Sequence, residues 1–222
     1  MLTDNSIKVK LTSAALAALV ILAGTGVIAA APAAAEAQTA APQTTIDKPA
    51  AGDELPHAAS FAVTIPPEFK PSDKEGVFIA RRYPLDSANI TVSLVDLAEE
   101  AALTNNEKAA MSERGETRSS LVRLYTSLTK DKWLEAAQGM LDEGLELSVK
   151  TFEKTAIRRP SDGTSFPGYR IVAEITGAKK VITEDVRMFI SDDKVFTVTY
   201  ARASDDEFDD IFAESIKSIT VY

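Results

Sequence analysis

The chain has 222 residues, 45% of them hydrophobic, a formal net charge of −9 and no cysteine. This composition is enough for one sizeable domain whose core must hold without disulfides, and it excludes a chain disordered throughout or lipidated on an N-terminal cysteine. The acidic balance argues against wrapping nucleic acid or lying on anionic headgroups, so neither is expected as a partner.

At the N-terminus, Lys8 and Lys10 precede an uncharged run from Leu11 to Ala35, the pattern of an export signal. Ala33 with Ala35, or Ala35 with Ala37, fits an A-x-A cleavage site, and Gly24 and Gly26 weaken the apolar helix near its end. The competing reading is an uncleaved anchor, which would confine any membrane contact to this segment. In either case the two lysines hold the flank inside and place the remainder outside the cytoplasm, in the periplasm or beyond. Residues 1–37 are therefore assigned to the export segment or anchor, 38–59 to an Ala/Pro/Thr-rich linker and 60–222 to a single domain. Discarding everything before Gln38 removes two bases and two acids, and the net charge stays at −9. The only histidine, His57, falls in the linker and reads as a solvated residue.

Phe61, Val63 and Ile65 alternate as a strand does, until Pro66 and Pro67 stop it. Strands at Val77–Tyr83 and Asn89–Leu97, joined through an Asp86-Ser87 turn, complete an expected three-stranded meander. Thr104-Asn-Asn-Glu107 has the capping-box spacing for a short helix that fails at Gly115, and Glu116–Leu128 reads as a further helix. A stronger helix is expected from Lys130 to Gly144, with Trp133, Ala136, Ala137, Met140 and Leu141 on one face; at that spacing Trp133 is core. Leu145–Arg158 alternates as a strand with a solvated outer face. After a Pro/Gly loop come strands at Tyr169–Thr176, Lys180–Ile190 and Lys194–Arg202, antiparallel because their connections are too short to cross over. Ser204-Asp-Asp-Glu207 repeats the capping-box spacing ahead of a helix over Asp205–Lys217, whose Phe208, Ile211, Phe212 and Ile216 form one apolar stripe.

Chemistry is sparse. With no cysteine and no histidine past His57, the Ser-His-Asp, Cys-His and zinc-type arrangements lack members within residues 60–222. Ser127/Lys130 and Ser191/Lys194 have Ser-x-x-Lys spacing without the companion motifs that would give it meaning. Gly24-Thr-Gly26 lies in the export segment and is no phosphate cradle. Asp205, Asp206, Glu207, Asp209 and Asp210 lack the calcium-loop spacing and read as macrodipole complement, and Asp192 and Asp193 read as turn residues. Arg81-Arg82 and Arg158-Arg159 read as strand-end pairs in solvent. No catalytic, cofactor-binding or metal-binding residue is expected, and no cofactor.

The element order resembles the PsbP-like and DcrB-like exported proteins. The resemblance is carried by Phe61-Ala-Val-Thr-Ile-Pro66, Asn89-Ile-Thr-Val-Ser93, Gly168-Tyr-Arg-Ile-Val172, Val195-Phe-Thr-Val-Thr-Tyr200 and Asp206-Glu-Phe208, across residues 60–222. It implies an α+β fold, an antiparallel sheet with helices packed on it as an α/β/α sandwich. It also implies a non-enzymatic role through contacts with an envelope protein partner, in assembly or maintenance of a complex. A small-ligand or divalent-cation-binding module, using the acidic helix start or a cleft beside Trp133, is the alternative.

Overall fold

The computed structural model describes residues 55–83, 85–96 and 125–222. The export segment, the linker up to residue 54, the helix expected at Thr104 and Glu116–Leu124 of the next lie outside the described residues. The elements are β1 (Phe61–Ala62), β2 (Phe69–Pro71), β3 (Val77–Ala80), β4 (Asn89–Asp96), α1 (Lys130–Gln138), β5 (Glu146–Arg158), β6 (Ser165–Thr176), β7 (Ile182–Ile190), β8 (Lys194–Ala203), α2 (Asp209–Lys217) and β9 (Thr220–Val221). Seven strands form one antiparallel sheet in the order β2-β3-β4-β8-β7-β6-β5, and β1 pairs with β9 in a separate ribbon. Among the described residues the class is α+β, mostly antiparallel sheet with two helices.

Period-two alternation divides the buried side chains between the two faces. Leu147, Val149, Tyr169, Ile171, Ala173, Ile175, Val186, Met188, Ile190 and Val195 share one face with Trp133 and Ala137 of α1. Phe166, Phe189, Phe196, Val198 and Tyr200 share the other with Phe212 of α2 and with Phe61 and Val221 of the ribbon. Helices thus cover both faces. A register shift between Val149 and Thr151 explains why Phe152, out of step with Leu147 and Val149, joins their cluster: the bulge moves its side chain to the α1 face. Gln138 fastens α1 to the start of β5, its amide donating to the Leu145 carbonyl and accepting from the Leu147 N–H, each at 2.8 Å.

Several expected boundaries move. The strand at Phe61–Ile65 is cut to two residues and leaves the meander: Phe61 pairs with Val221, and its ring stacks on Phe196 with centroids 5.2 Å apart. β2, absent from the sequence reading, takes its place beside β3 once Pro66 and Pro67 have turned the chain. β6 begins at Ser165, so Pro167 and Gly168 lie inside a strand rather than in a loop. Pairing of β6 with β7 starts only at Gly168, so Pro167 has a strand on one side alone. A Cβ on Gly168 would stand 2.1 Å from the Met188 carbonyl oxygen, which is why glycine sits there.

α1 ends at Gln138 rather than Gly144, and α2 starts at Asp209 rather than Asp205. The capping box at Ser204–Glu207 does not form. Asp206 accepts instead from the N–H and hydroxyl of Ser87, at 2.9 and 2.6 Å, and Asp205 pairs with Lys180. Residues 55–59, assigned to the linker, belong to the folded body: Ala58 is fully buried and Ala59 donates its N–H to the Tyr222 carbonyl at 2.8 Å. Among the described residues no helix is long and apolar enough to cross a membrane.

Candidate functional site

Opposite to Ile171 and Val186, the alternation of β6, β7 and β8 turns charged residues toward α2. Arg170 lies across from Arg187, Val172 from Asp185, Thr183 from Arg202 and Asp185 from Tyr200. With Asp209 and Phe212 of α2 as a wall, these strands floor a cleft of about 170 Å³. Arg187 holds Asp185 through two bonds of 2.6 and 2.9 Å, and Arg202 holds Asp209 through two of 2.8 Å. Among the described residues Arg170 has no such bidentate partner. Its nearest carboxylate oxygens are those of Asp185 at 3.5 Å and Glu153 at 3.9 Å, and its Nε is shut from solvent without an acceptor. A planar fork of donors at an open cleft, short of acceptors, is suited to a carboxylate. Below it the Tyr200 hydroxyl, raised in pKa by burial, bonds Ser215 Oγ at 3.1 Å, and Ser215 donates to the Thr64 carbonyl at 2.7 Å.

The α1 face carries a different kind of polarity. Asn89 lies across from Ala201 and Ala201 from Glu184, while Thr91 lies across from Thr199 in the adjacent row. Glu184 is wholly buried, and Asn89, Thr91, Thr197 and Thr199 are at most 5% exposed. Among the described residues, both Glu184 oxygens, both polar atoms of Asn89 and the three threonine hydroxyls have no hydrogen-bond partner. Burial pushes the Glu184 carboxyl up to about 8, so it is neutral at physiological pH.

Among the residues weighed from the sequence, Trp133 is 3% exposed and lies in the core, as its helical spacing predicts. Ser191 and Lys194 do not form a Ser-Lys couple: the ammonium goes to Asp193 and to the Ala58 carbonyl, while Ser191 Oγ accepts from the Lys194 N–H. The acidic stretch before α2 does not converge, since Asp205, Asp206 and Asp209 turn to Lys180, Ser87 and Arg202 respectively. Arg81 donates to the Pro67 carbonyl and Arg82 lies 3.6 Å from Asp86. Arg159 binds Asp162, whose carboxyl this bond holds far below the usual range, and its guanidinium stands 5.4 Å from the centre of the Phe166 ring.

His57 corrects the sequence reading. It is exposed but not a loose linker residue: Nδ1 lies 3.1 Å from Asp192 Oδ1 and 3.8 Å from Asp193 Oδ1. Sequence reasoning also missed Arg170, Asp185, Arg187 and Glu184. The signal was phase: Glu184 is in step with Val186 and Met188 on the buried face, and Arg170 is out of step with Ile171.

No family model matches the chain, and no curated protein matches it. Among solved structures it is similar to the solution structure of cyanobacterial PsbP (CyanoP) from Synechocystis sp. PCC 6803, at 17% identity and a TM-score of 0.42, over 73% of this chain and 86% of that one. A likeness that distant carries no argument about what this chain does, and the DcrB-like half of the resemblance has no support from family models or curated proteins.

Proposed function

We propose that the chain is an exported, non-enzymatic domain that binds an envelope protein partner, and that the cleft between α2 and strands β6 to β8 receives an acidic side chain of that partner. The reading rests on one observation, the guanidinium of Arg170 at an open cleft with only long carboxylate contacts, 3.5 Å to Asp185 and 3.9 Å to Glu153. Arg202, which lines the cleft, and Arg187 beside it are each satisfied bidentately, and Arg170 is the guanidinium left without a short bond to a carboxylate. Phe212 and Val172 supply apolar surface beside it, which strengthens a charge-assisted bond made there.

The test is crosslinking capture from native membranes with wild type, Arg170→Glu and a remote reversal, Arg82→Glu. Wild type and Arg82→Glu should recover the same partner, and Arg170→Glu should lose it. Equal recovery by all three refutes the placement, and failure to recover any reproducible partner counts against the function. Intact-mass measurement of the exported protein decides whether residues 1–37 are removed.

A further inference from the structure

We propose that His57, Asp192 and Asp193 form a surface site for a divalent transition-metal ion of the zinc class. The three belong to two segments 135 residues apart, the stretch entering β1 and the turn between β7 and β8. One ligand atom from each, the imidazole nitrogen and two carboxylate oxygens, falls within 4.8 Å of the others. Zinc bonds of 2.0–2.2 Å in a tetrahedron place ligand atoms roughly 3.3–3.6 Å apart. The His57 to Asp192 and His57 to Asp193 separations, 3.1 and 3.8 Å, bracket that spacing. One nitrogen with two carboxylate oxygens is a borderline donor set, which favours zinc over magnesium, and solvent is on hand for the fourth position.

The ligands are held by their surroundings. The Arg159 guanidinium donates to the His57 carbonyl at 3.0 Å, and the Asp192 N–H donates to the Pro56 carbonyl at 3.2 Å, so the two segments are already in register. Ser191 Oγ donates to Asp193 Oδ1 at 3.0 Å and Lys194 takes Oδ2, which fixes the rotation of that carboxylate and leaves Oδ1 facing the imidazole. The ammonium is a competing charge and sets a ceiling on affinity. Metal binding here joins the entry to β1 to the β7–β8 turn, and adds to the hold of the Ala59 N–H on the Tyr222 carbonyl next in the chain.

Zinc chloride titrated into the folded protein should bind one to one and raise Tm by about 2–5 °C at saturating metal, with magnesium chloride giving no rise. Asp192→Asn and His57→Ala should each weaken binding by at least about tenfold. Glu207→Gln, an exposed acid elsewhere, should leave it unchanged. Hydrogen exchange should report zinc-dependent protection at Ala59 and Ser60 in wild type and not in His57→Ala. Absence of zinc binding, or equal zinc affinity in His57→Ala and wild type, overturns the proposal.

Discussion

Glu184→Gln is the perturbation that most directly tests the physical reading of the sheet. The carboxyl is wholly buried with no hydrogen-bond partner among the described residues, and its pKa rises from 4.5 to about 8 because desolvation penalises the charged form. A group whose folded pKa lies above its unfolded one contributes its full stability below the unfolded value and loses it as pH climbs through the folded value. Below pH 4.5 folded and unfolded chains both carry the proton. From there to about pH 8 only the folded chain keeps it, and stability falls with pH. At 1.36 kcal/mol per unit the whole window is worth about 5 kcal/mol, a large share of the roughly 5–15 kcal/mol that holds a domain together. Glutamine keeps the shape of the protonated acid and does not titrate. Urea unfolding at pH 4.5, 6, 7.5 and 9 should therefore show wild type and variant nearly equal at the acid end. The variant should lead by about 3 kcal/mol near neutrality and by about 5 kcal/mol at pH 9. If the two curves ran parallel across that range, the carboxyl would not be buried as described, and the account of this face would fail.

Gly168→Ala places a methyl 2.1 Å from the Met188 carbonyl oxygen and 2.7 Å from the Phe189 ring, so β6 and β7 must part; a loss of about 1–3 kcal/mol or more in urea unfolding is expected. Ser215→Ala deprives the Thr64 carbonyl and the buried Tyr200 hydroxyl of their common partner, and should cost about 1–3 kcal/mol. Tyr200→Phe, which leaves Ser215 bonded to Thr64, should cost only about 0.5–1.5 kcal/mol, and the reverse order in urea unfolding would contradict this network.

What could be read from the sequence was what depends on near neighbours in the chain. The stripe of Phe208, Ile211, Phe212 and Ile216 packs in the α2-side cluster as its spacing requires, and the alternation of Val186, Met188 and Ile190 faces the core together. What could not be read depends on distant partners. The Ser204–Glu207 capping box satisfies every local rule, yet α2 begins only at Asp209 with no side-chain cap, and Asp206, between the two box residues, is held by Ser87, 119 residues earlier. β1 is short because its strand partner is β9 at the other end of the domain, and His57 looked like linker because Asp192 and Asp193 are invisible from its own neighbourhood. Glu184 is the exception, since it could have been found. A lone acid in phase with three buried apolar residues is an acid on the core face, and extending the alternation by one step reveals it.

The same sheet therefore has two faces with opposite electrostatic conditions, and the contrast is the reason the proposed binding is assigned to the α2 side. On the α1 side, Asn89, Thr91, Glu184, Thr197 and Thr199 are polar groups withdrawn from solvent, and keeping the acid neutral lowers the cost of burying Glu184. A partner carboxylate gains nothing from a protonated acid it cannot reach. On the α2 side the groups are charged, partly solvated and paired, apart from one imbalance: Asp185 serves Arg187 at 2.6 Å while Arg170 waits at 3.5 Å for the same carboxylate. A second carboxylate delivered into the cleft would give Arg170 its own acceptor and leave Asp185 to Arg187. By this logic Arg187→Ala should partly compensate for a missing partner, because it frees Asp185 to move onto Arg170. Capture by Arg187→Ala should consequently weaken even though Arg170 is intact, a result that a cleft recognising simple positive charge would also give. The two are separated by Arg170→Lys, which keeps the positive charge and removes the planar fork of donors: capture falls if a bidentate acceptor is what Arg170 lacks and persists if the cleft reads charge alone.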